Sequence, residues 1–171
     1  PTSMNFFIFL RPLAIFLVRN SSPLKGDSWL NNIPEANRRI GAVSSHDISL
    51  PLSKISNFIY EARVEISKLG NFRINCFGHL GDGNLHFNIF PNKGEKREEH
   101  DHVRPTIKTT IHDLVHLHGG SVSAEHGIGR LKINDLVKYS DPIKLKLNKS
   151  IKSVMDPNGI LNPGAIFGYN P

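Results

Sequence analysis

Hydrophobic positions along the chain change their period several times, and each change marks a new element. Between residues 47 and 51, Ile48 and Leu50 alternate with polar positions and stop at Pro51, the pattern of a short strand. The period then lengthens. Ile55, Phe58, Ile59, Ala62, Ile66 and Leu69 recur at spacings of three and four, which places them on one face of a helix with Ser53 as N-cap and Gly70 as its stop. Residues 72–80 and 84–90 return to alternation and meet at Asp82-Gly83, a dipeptide suited to a tight hairpin turn that needs positive φ. With those two residues as the loop, Leu80 faces Leu85 and His79 faces His86 across the strands. Pleating sends Ile74, Cys76, Leu80, Leu85, Phe87 and Ile89 to one face, and Asn75, Phe77, His79, His86, Asn88 and Phe90 to the other.

A second helix is expected over residues 102–118, closed by Gly119-Gly120, and a short strand over 121–124. The order strand, helix, strand, strand, helix, strand predicts an α+β fold: a ferredoxin-like split βαβ antiparallel sheet with helices on one face. Residues 134–138 and 142–155 extend it as a C-terminal helical segment, and the turn-rich Asp156-Pro157-Asn158-Gly159 and Asn162-Pro163-Gly164 follow. Three regions result: an atypical apolar segment over 1–26, a ferredoxin-like domain over 27–129, and a helical segment with its tail over 130–171.

Composition narrows the function. A length of 171 residues, 39% hydrophobic and 21% charged, suits one ordinary domain with a real core. The single cysteine, Cys76, excludes an internal disulfide framework and a cysteine-rich zinc module, so any metal must use histidine and carboxylate ligands. The formal charge of +6 is spread through Arg11, Arg38, Arg39, Arg73, Arg130 and the lysines of 144–152 without regular aromatic interleaving, so nucleic acid is not an expected partner. The apolar stretch over residues 4–18 is shorter than the ~20 residues of a membrane span and is broken by Arg11 and Pro12, so no transmembrane span is expected there. A buried segment or an aberrant start is the expectation for it, since no small-residue cleavage site follows. The expected location is cytoplasmic, with peripheral attachment to the inner membrane as the variant.

The chemistry concentrates in His79-Leu80-Gly81-Asp82-Gly83-Asn84-Leu85-His86-Phe87-Asn88. Two imidazoles opposed across a rigid hairpin, with Cβ atoms ~5 Å apart, can share one divalent ion. Glu125, in Ser123-Ala124-Glu125-His126-Gly127-Ile128-Gly129, offers a third ligand from a strand able to pair beside the hairpin. Such a set leaves room for water or substrate. The plainer readings are a stacked surface pair for His79 and His86, and a helix-start carboxylate with a satisfied loop histidine for Glu125 and His126; residue physics alone leaves these open. His112, His116 and His118 read better as a solvated helix face than as a second metal site, because no glutamate follows His112 as in H-E-x-x-H. Cys76 reads as a small buried hydrophobe.

Residues 79–88, 123–132 and 156–164 together resemble the carboxy-terminal domain of the FAD-linked oxidases, the family of D-lactate dehydrogenase, D-2-hydroxyglutarate dehydrogenase and the glycolate oxidase flavin subunit, over about residues 33–164. The resemblance implies a divalent metal, zinc or manganese first, on His79, His86 and Glu125. It also implies His126 as the base, Asn88 as a residue orienting the site, and Asn162 toward the flavin. The implied activity is oxidation of a 2-hydroxy acid to a 2-oxo acid by hydride transfer to FAD. Where the family carries an arginine and a lysine for substrate carboxylates, this chain has Leu30 and Ser45. A small D-lactate-like acid is therefore expected rather than a dicarboxylate. No glycine-rich pyrophosphate loop stands upstream, so the expectation is a fragment whose FAD is held mainly by a missing domain or a partner chain. An electron acceptor and a second copy of the chain, as a homodimer, complete the expected partners. The competing expectations are an inactive remnant or a stand-alone metal- or ligand-binding module without redox activity.

Overall fold

The edge strand β1, Ser44–Ser49, forms where alternation sends His46 and Ile48 inward and Ser45, Asp47 and Ser49 to the opposite face. It begins three residues earlier than the alternation of Ile48 and Leu50 suggests, because a histidine occupies an inward position that a hydrophobic pattern skips. In this computed structural model, which describes residues 39–168, residue 37 and two short paired strands at Phe9–Leu10 and Ala14–Ile15, the chain divides into two compact units, Pro1–Glu125 and His126–Pro171. The expected burial of residues 4–18 and the position of Leu30 lie outside the described residues.

In the first unit, β1 is followed by α1 (Ile55–Leu69), β2 (Arg73–His79), β3 (Asn84–Phe90) and α2 (Arg104–Leu117). The sheet runs β1-β3-β2, antiparallel throughout. Helix α1 buries Ile55, Phe58, Ala62 and Ile66, the three-and-four spacing of its sequence. It starts one residue beyond the expected site, because the chain enters through a 3-10 turn over Leu52–Lys54 and Lys54, not Ser53, stands at the cap without a side-chain hydrogen bond. Phe58 meets Phe87 edge to face at 5.7 Å, and His112 of α2 meets His46 of β1 at 5.3 Å. Both helices therefore cover the same side of the sheet, as an α+β layer requires. Burying a Phe58-sized side chain there is worth about 1.5–3 kcal/mol.

The hairpin register differs from the expected one. Cys76 faces Phe87, Phe77 faces His86 and His79 faces Asn84, so the turn spans Leu80 to Gly83 and not Asp82-Gly83 alone. Gly83 has φ +72 while Asp82 does not enter the positive region, which rules out the two-residue turn that needs both. Asp82 instead accepts from the Asn84 N–H at 3.0 Å, a local side-chain turn. The slip is of two residues, an even number, so each described side chain keeps its expected face; the side chain of Leu80 lies outside the described residues.

The fourth strand contracts to one bridge. Ser49 and Ser121 exchange both main-chain hydrogen bonds, at 2.9 and 2.8 Å, and Ala124 N–H then reaches Asp47 O at 3.3 Å. The segment thus runs beside β1 and not beside the hairpin. Gly120 permits the approach, since a Cβ there would lie 2.4 Å from Ser49 O.

The second unit carries α3 (Ile133–Tyr139) and α4 (Pro142–Met155). Asp141 caps α4 by accepting from the Lys144 N–H at 2.8 Å, with Pro142 in the first turn. At its other end Asp156 accepts from Lys152 Nζ at 2.6 Å and from the N–H groups of Ile160 and Leu161, both at 3.0 Å. No helix among the described residues is long and apolar enough to cross a membrane.

Candidate metal and substrate site

The sheet face turned away from α1 and α2 forms a polar grid in three rows: Ser45, Asn88 and Asn75; Asp47, His86 and Phe77; Ser49, Asn84 and His79. Pleating creates this face, since every member alternates with a core residue. His79 and His86 are diagonal rather than directly opposed, with ring centroids 6.2 Å apart and planes at 81°. Phe77 takes the directly opposed place and lies against the His86 ring at 4.9 Å, which restricts how that imidazole can turn.

Glu125 reaches the same place from the segment beside β1. Its Oε1 lies 3.7 Å from His79 Nε2 and its Oε2 lies 3.7 Å from His86 Nε2. One ligand atom from each of the three falls within 4.8 Å of the others. Donors bound to one ion at ~2.1 Å with angles of 90–109° sit ~3.0–3.4 Å apart, so each Glu125 oxygen stands a few tenths of an ångström beyond that spacing from its histidine. The donor set, two imidazoles and a carboxylate, also suits a divalent ion of borderline character. His79 and Glu125 are about half exposed and His86 one-fifth exposed, so the site opens to solvent on one side, where a substrate can enter.

Asp47, which no motif in the sequence singles out, touches three members of this cluster. It is 8% exposed; its Oδ2 accepts from the Glu125 N–H at 2.8 Å and its Oδ1 from Asn84 Nδ2 at 2.8 Å, while His86 Nδ1 stands 3.6 Å from Oδ1. Asn84 is itself buried and also donates to Ile48 O at 3.3 Å. Alternation around Ile48 was the available signal: an acidic residue between two inward positions of β1 must face the hairpin histidines if β1 pairs with β3.

The other expected residues separate by unit. Asn88 is buried beside the ligands, its Nδ2 donating to His86 O at 3.3 Å. His126, exposed, follows Glu125 directly and opens the second unit. In that unit Asn162 holds φ +49, and its Oδ1 accepts from Arg130 Nη2 at 2.9 Å; the same guanidinium nitrogen donates to Pro163 O at 2.9 Å. Arg130 therefore clamps the Asn-Pro-Gly turn.

The solvated-face reading of the helix histidines is corrected at two positions. His112 is 3% exposed and packs on His46, and His118 is largely covered, pairing with Glu61 at 2.9 Å and lying edge-on to Phe58. Only His116 keeps an exposed place. Ile107, Ile111 and Val115 recur every four residues, and His112, next to Ile111 and three residues before Val115, falls on the same buried stripe, which the polarity of histidine disguises.

Residues 29–166 match the family described as FAD linked oxidases, C-terminal domain. The chain is 40% identical over 138 residues to the mitochondrial D-2-hydroxyglutarate dehydrogenase of Arabidopsis thaliana, covering 81% of this chain and 23% of that protein. It is 35% identical over 151 residues to the D-2-hydroxyglutarate dehydrogenase of Stutzerimonas stutzeri, covering 84% of this chain and 32% of the other. Against the D-lactate dehydrogenase of Anaerostipes hadrus it is 34% identical over 156 residues, 88% of this chain and 32% of that enzyme. The chain thus spans a quarter to a third of the length of these relatives, and by its matched residues it belongs to the family of FAD linked oxidases, C-terminal domain.

Proposed function

We propose that this chain is the metal- and substrate-binding part of an FAD-dependent D-2-hydroxyacid dehydrogenase, acting together with a flavin-binding domain outside the described residues. The observation that carries the reading is the convergence of His79 Nε2, His86 Nε2 and both Glu125 carboxylate oxygens at 3.7 Å. When bound, a divalent ion would supply Lewis-acid attraction for the substrate's 2-hydroxyl and carboxylate, and the flavin would supply the hydride acceptor. His79, His86 and Glu125 would hold the ion. Asn88, anchored on the main chain of His86, presents its amide beside the ligands and orients the substrate. His126 accepts the hydroxyl proton on an imidazole nitrogen as the Cα–H bond breaks, a role that needs the neutral ring. Asn162, fixed by Arg130, would contact the flavin when it is bound.

The substrate is a small D-2-hydroxy acid of lactate size. Ser45, exposed at the end of the Ser45, Asn88 and Asn75 row, brings a hydroxyl and no cation to the place where a second carboxylate would need one. The relatives are named for D-2-hydroxyglutarate and for D-lactate, both D-2-hydroxy acids, so the choice of the lactate-sized acid over the dicarboxylate rests on that row. The test is calorimetric titration of the full chain with Mn2+ or Zn2+, before and after Glu125→Gln and His79→Ala, followed by D-lactate and D-2-hydroxyglutarate. One ion per chain, lost in both variants, with D-lactate preferred by the loaded chain, is expected. Unchanged ion binding in Glu125→Gln would refute the metal site, and preference for D-2-hydroxyglutarate would refute the substrate assignment.

A further inference from the structure

Two short polar contacts in the cluster belong to a residue that is not among the proposed ligands. Asp47 projects from β1 into the gap between the hairpin and the segment carrying Glu125, and its carboxylate is almost wholly buried. One oxygen holds the main-chain N–H of Glu125 at 2.8 Å, 78 residues away in sequence, and the other holds Asn84 Nδ2 at 2.8 Å. The Asp47 main chain adds a third tie, accepting from Ala124 N–H at 3.3 Å. Asn84 sits directly across from His79, and Asp47 directly across from His86. The carboxylate oxygen that binds Asn84 also stands 3.6 Å from His86 Nδ1, on the opposite side of the ring from Nε2 and Glu125.

We propose that Asp47 is the positioning residue of the metal centre: it docks the Glu125 segment against the hairpin and keeps the His86 proton on Nδ1, so that the lone pair of Nε2 faces Glu125. This rests on the metal reading of His79, His86 and Glu125 proposed above. Three physical arguments support it. A buried carboxylate is costly unless its oxygens are hydrogen-bonded, and Asp47 meets that condition through the groups that position the ligands. A negative oxygen near Nδ1 favours the tautomer protonated there, which leaves Nε2 as the donor atom for a metal. The segment carrying Glu125 has only a single bridge to β1, so its placement beside the histidines depends heavily on these side-chain and main-chain ties.

The full chain, with Mn2+ as the probe, provides the test. Mn2+ binding is read from the loss of the free-ion EPR signal for the parent, Asp47→Asn, His79→Ala and Glu125→Gln, and the His86 tautomer is read from imidazole 15N shifts of the metal-free protein. Glu125→Gln and His79→Ala should abolish binding, and Asp47→Asn should weaken it about 10- to 100-fold, the usual loss when a residue supporting a ligand is changed. The parent should carry the His86 proton on Nδ1, and Asp47→Asn should shift it toward Nε2. A residue with a purely structural role would lower the unfolding midpoint and leave that tautomer unmoved. A folded Asp47→Asn chain that binds Mn2+ as tightly as the parent overturns the assignment. So does a parent whose His86 proton resides on Nε2, a measurement that needs no variant to fold. If Glu125→Gln and His79→Ala also bind normally, the metal reading itself fails and the assignment falls with it; if they lose the ion while Asp47→Asn keeps it, only the role of Asp47 fails.

Discussion

Single residues in this protein are legible when their chemistry and their place in the period agree. Cys76 occupies an inward position of β2, 1% exposed, and burial pushes its thiol up to about 12 against the opposing pull of Arg63. It should resist iodoacetamide at pH 8 in the native chain and react once urea unfolds it; labelling of the folded protein, seen by mass spectrometry, would contradict its placement. Asp156 shows the reverse shift. Lys152, followed by the main-chain N–H groups of Leu161 and Ile160, holds its carboxyl below the ordinary 3.8 despite the contrary effect of burial. A carboxyl whose folded value is depressed stabilises above its unfolded pKa, and the contribution disappears as pH falls through the lower, folded value. Asp156→Asn should therefore speed amide exchange at Ile160 and Leu161 near neutral pH, and its difference from the parent should vanish as the pH drops below 3.8 and through the folded value. Histidine is where residue-level reading fails, because His46 and His112 fill inward places as half-apolar rings that a hydrophobic pattern does not count.

At the scale of elements, the hairpin of β2 and β3 couples backbone geometry to chemistry. Gly83 needs φ +72, and a Cβ there would lie 2.0 Å from Leu50 O, next to the hydrogen bond from Leu50 N–H to Gly83 O at 3.0 Å. Gly83→Ala should destabilise the first unit by more than the ~1–2 kcal/mol of a left-handed residue, and it should weaken Mn2+ binding by moving His79 relative to His86. Urea unfolding and metal titration of the same variant check both; full stability with normal binding would mean the turn tolerates another shape. The helices are legible in the sequence because Ile55, Phe58, Ala62 and Ile66, like Ile107, Ile111 and Val115, follow a stripe that needs no distant information. The turn is less legible. An Asp-Gly pair admits both a two-residue loop and a longer one, and the choice is made by contacts of Gly83 with Leu50, more than thirty residues earlier.

Across the whole molecule, a ligand that binds only the folded form links metal to stability. If the cluster takes one ion, the chain's unfolding midpoint should rise with Mn2+ concentration, by about 2.7 kcal/mol of added stability at a hundred times Kd, and EDTA should reverse the gain. A midpoint indifferent to both, followed by calorimetry, would show that no ion binds the native state. The amino-acid sequence alone determined the α+β character, the stripe of each helix and the face of each described hairpin residue, since a helical period or a period of two depends on neighbours a few residues away and survives an even slip of register. Which side chains meet was decided only in three dimensions. The pairing of Phe77 with His86 follows from a turn held by distant Leu50, and the reduction of the fourth strand to one bridge and the hold of Asp47 on Glu125 join residues far apart in the chain, where steric fit and the need to satisfy buried polar groups, rather than local preference, select the partner.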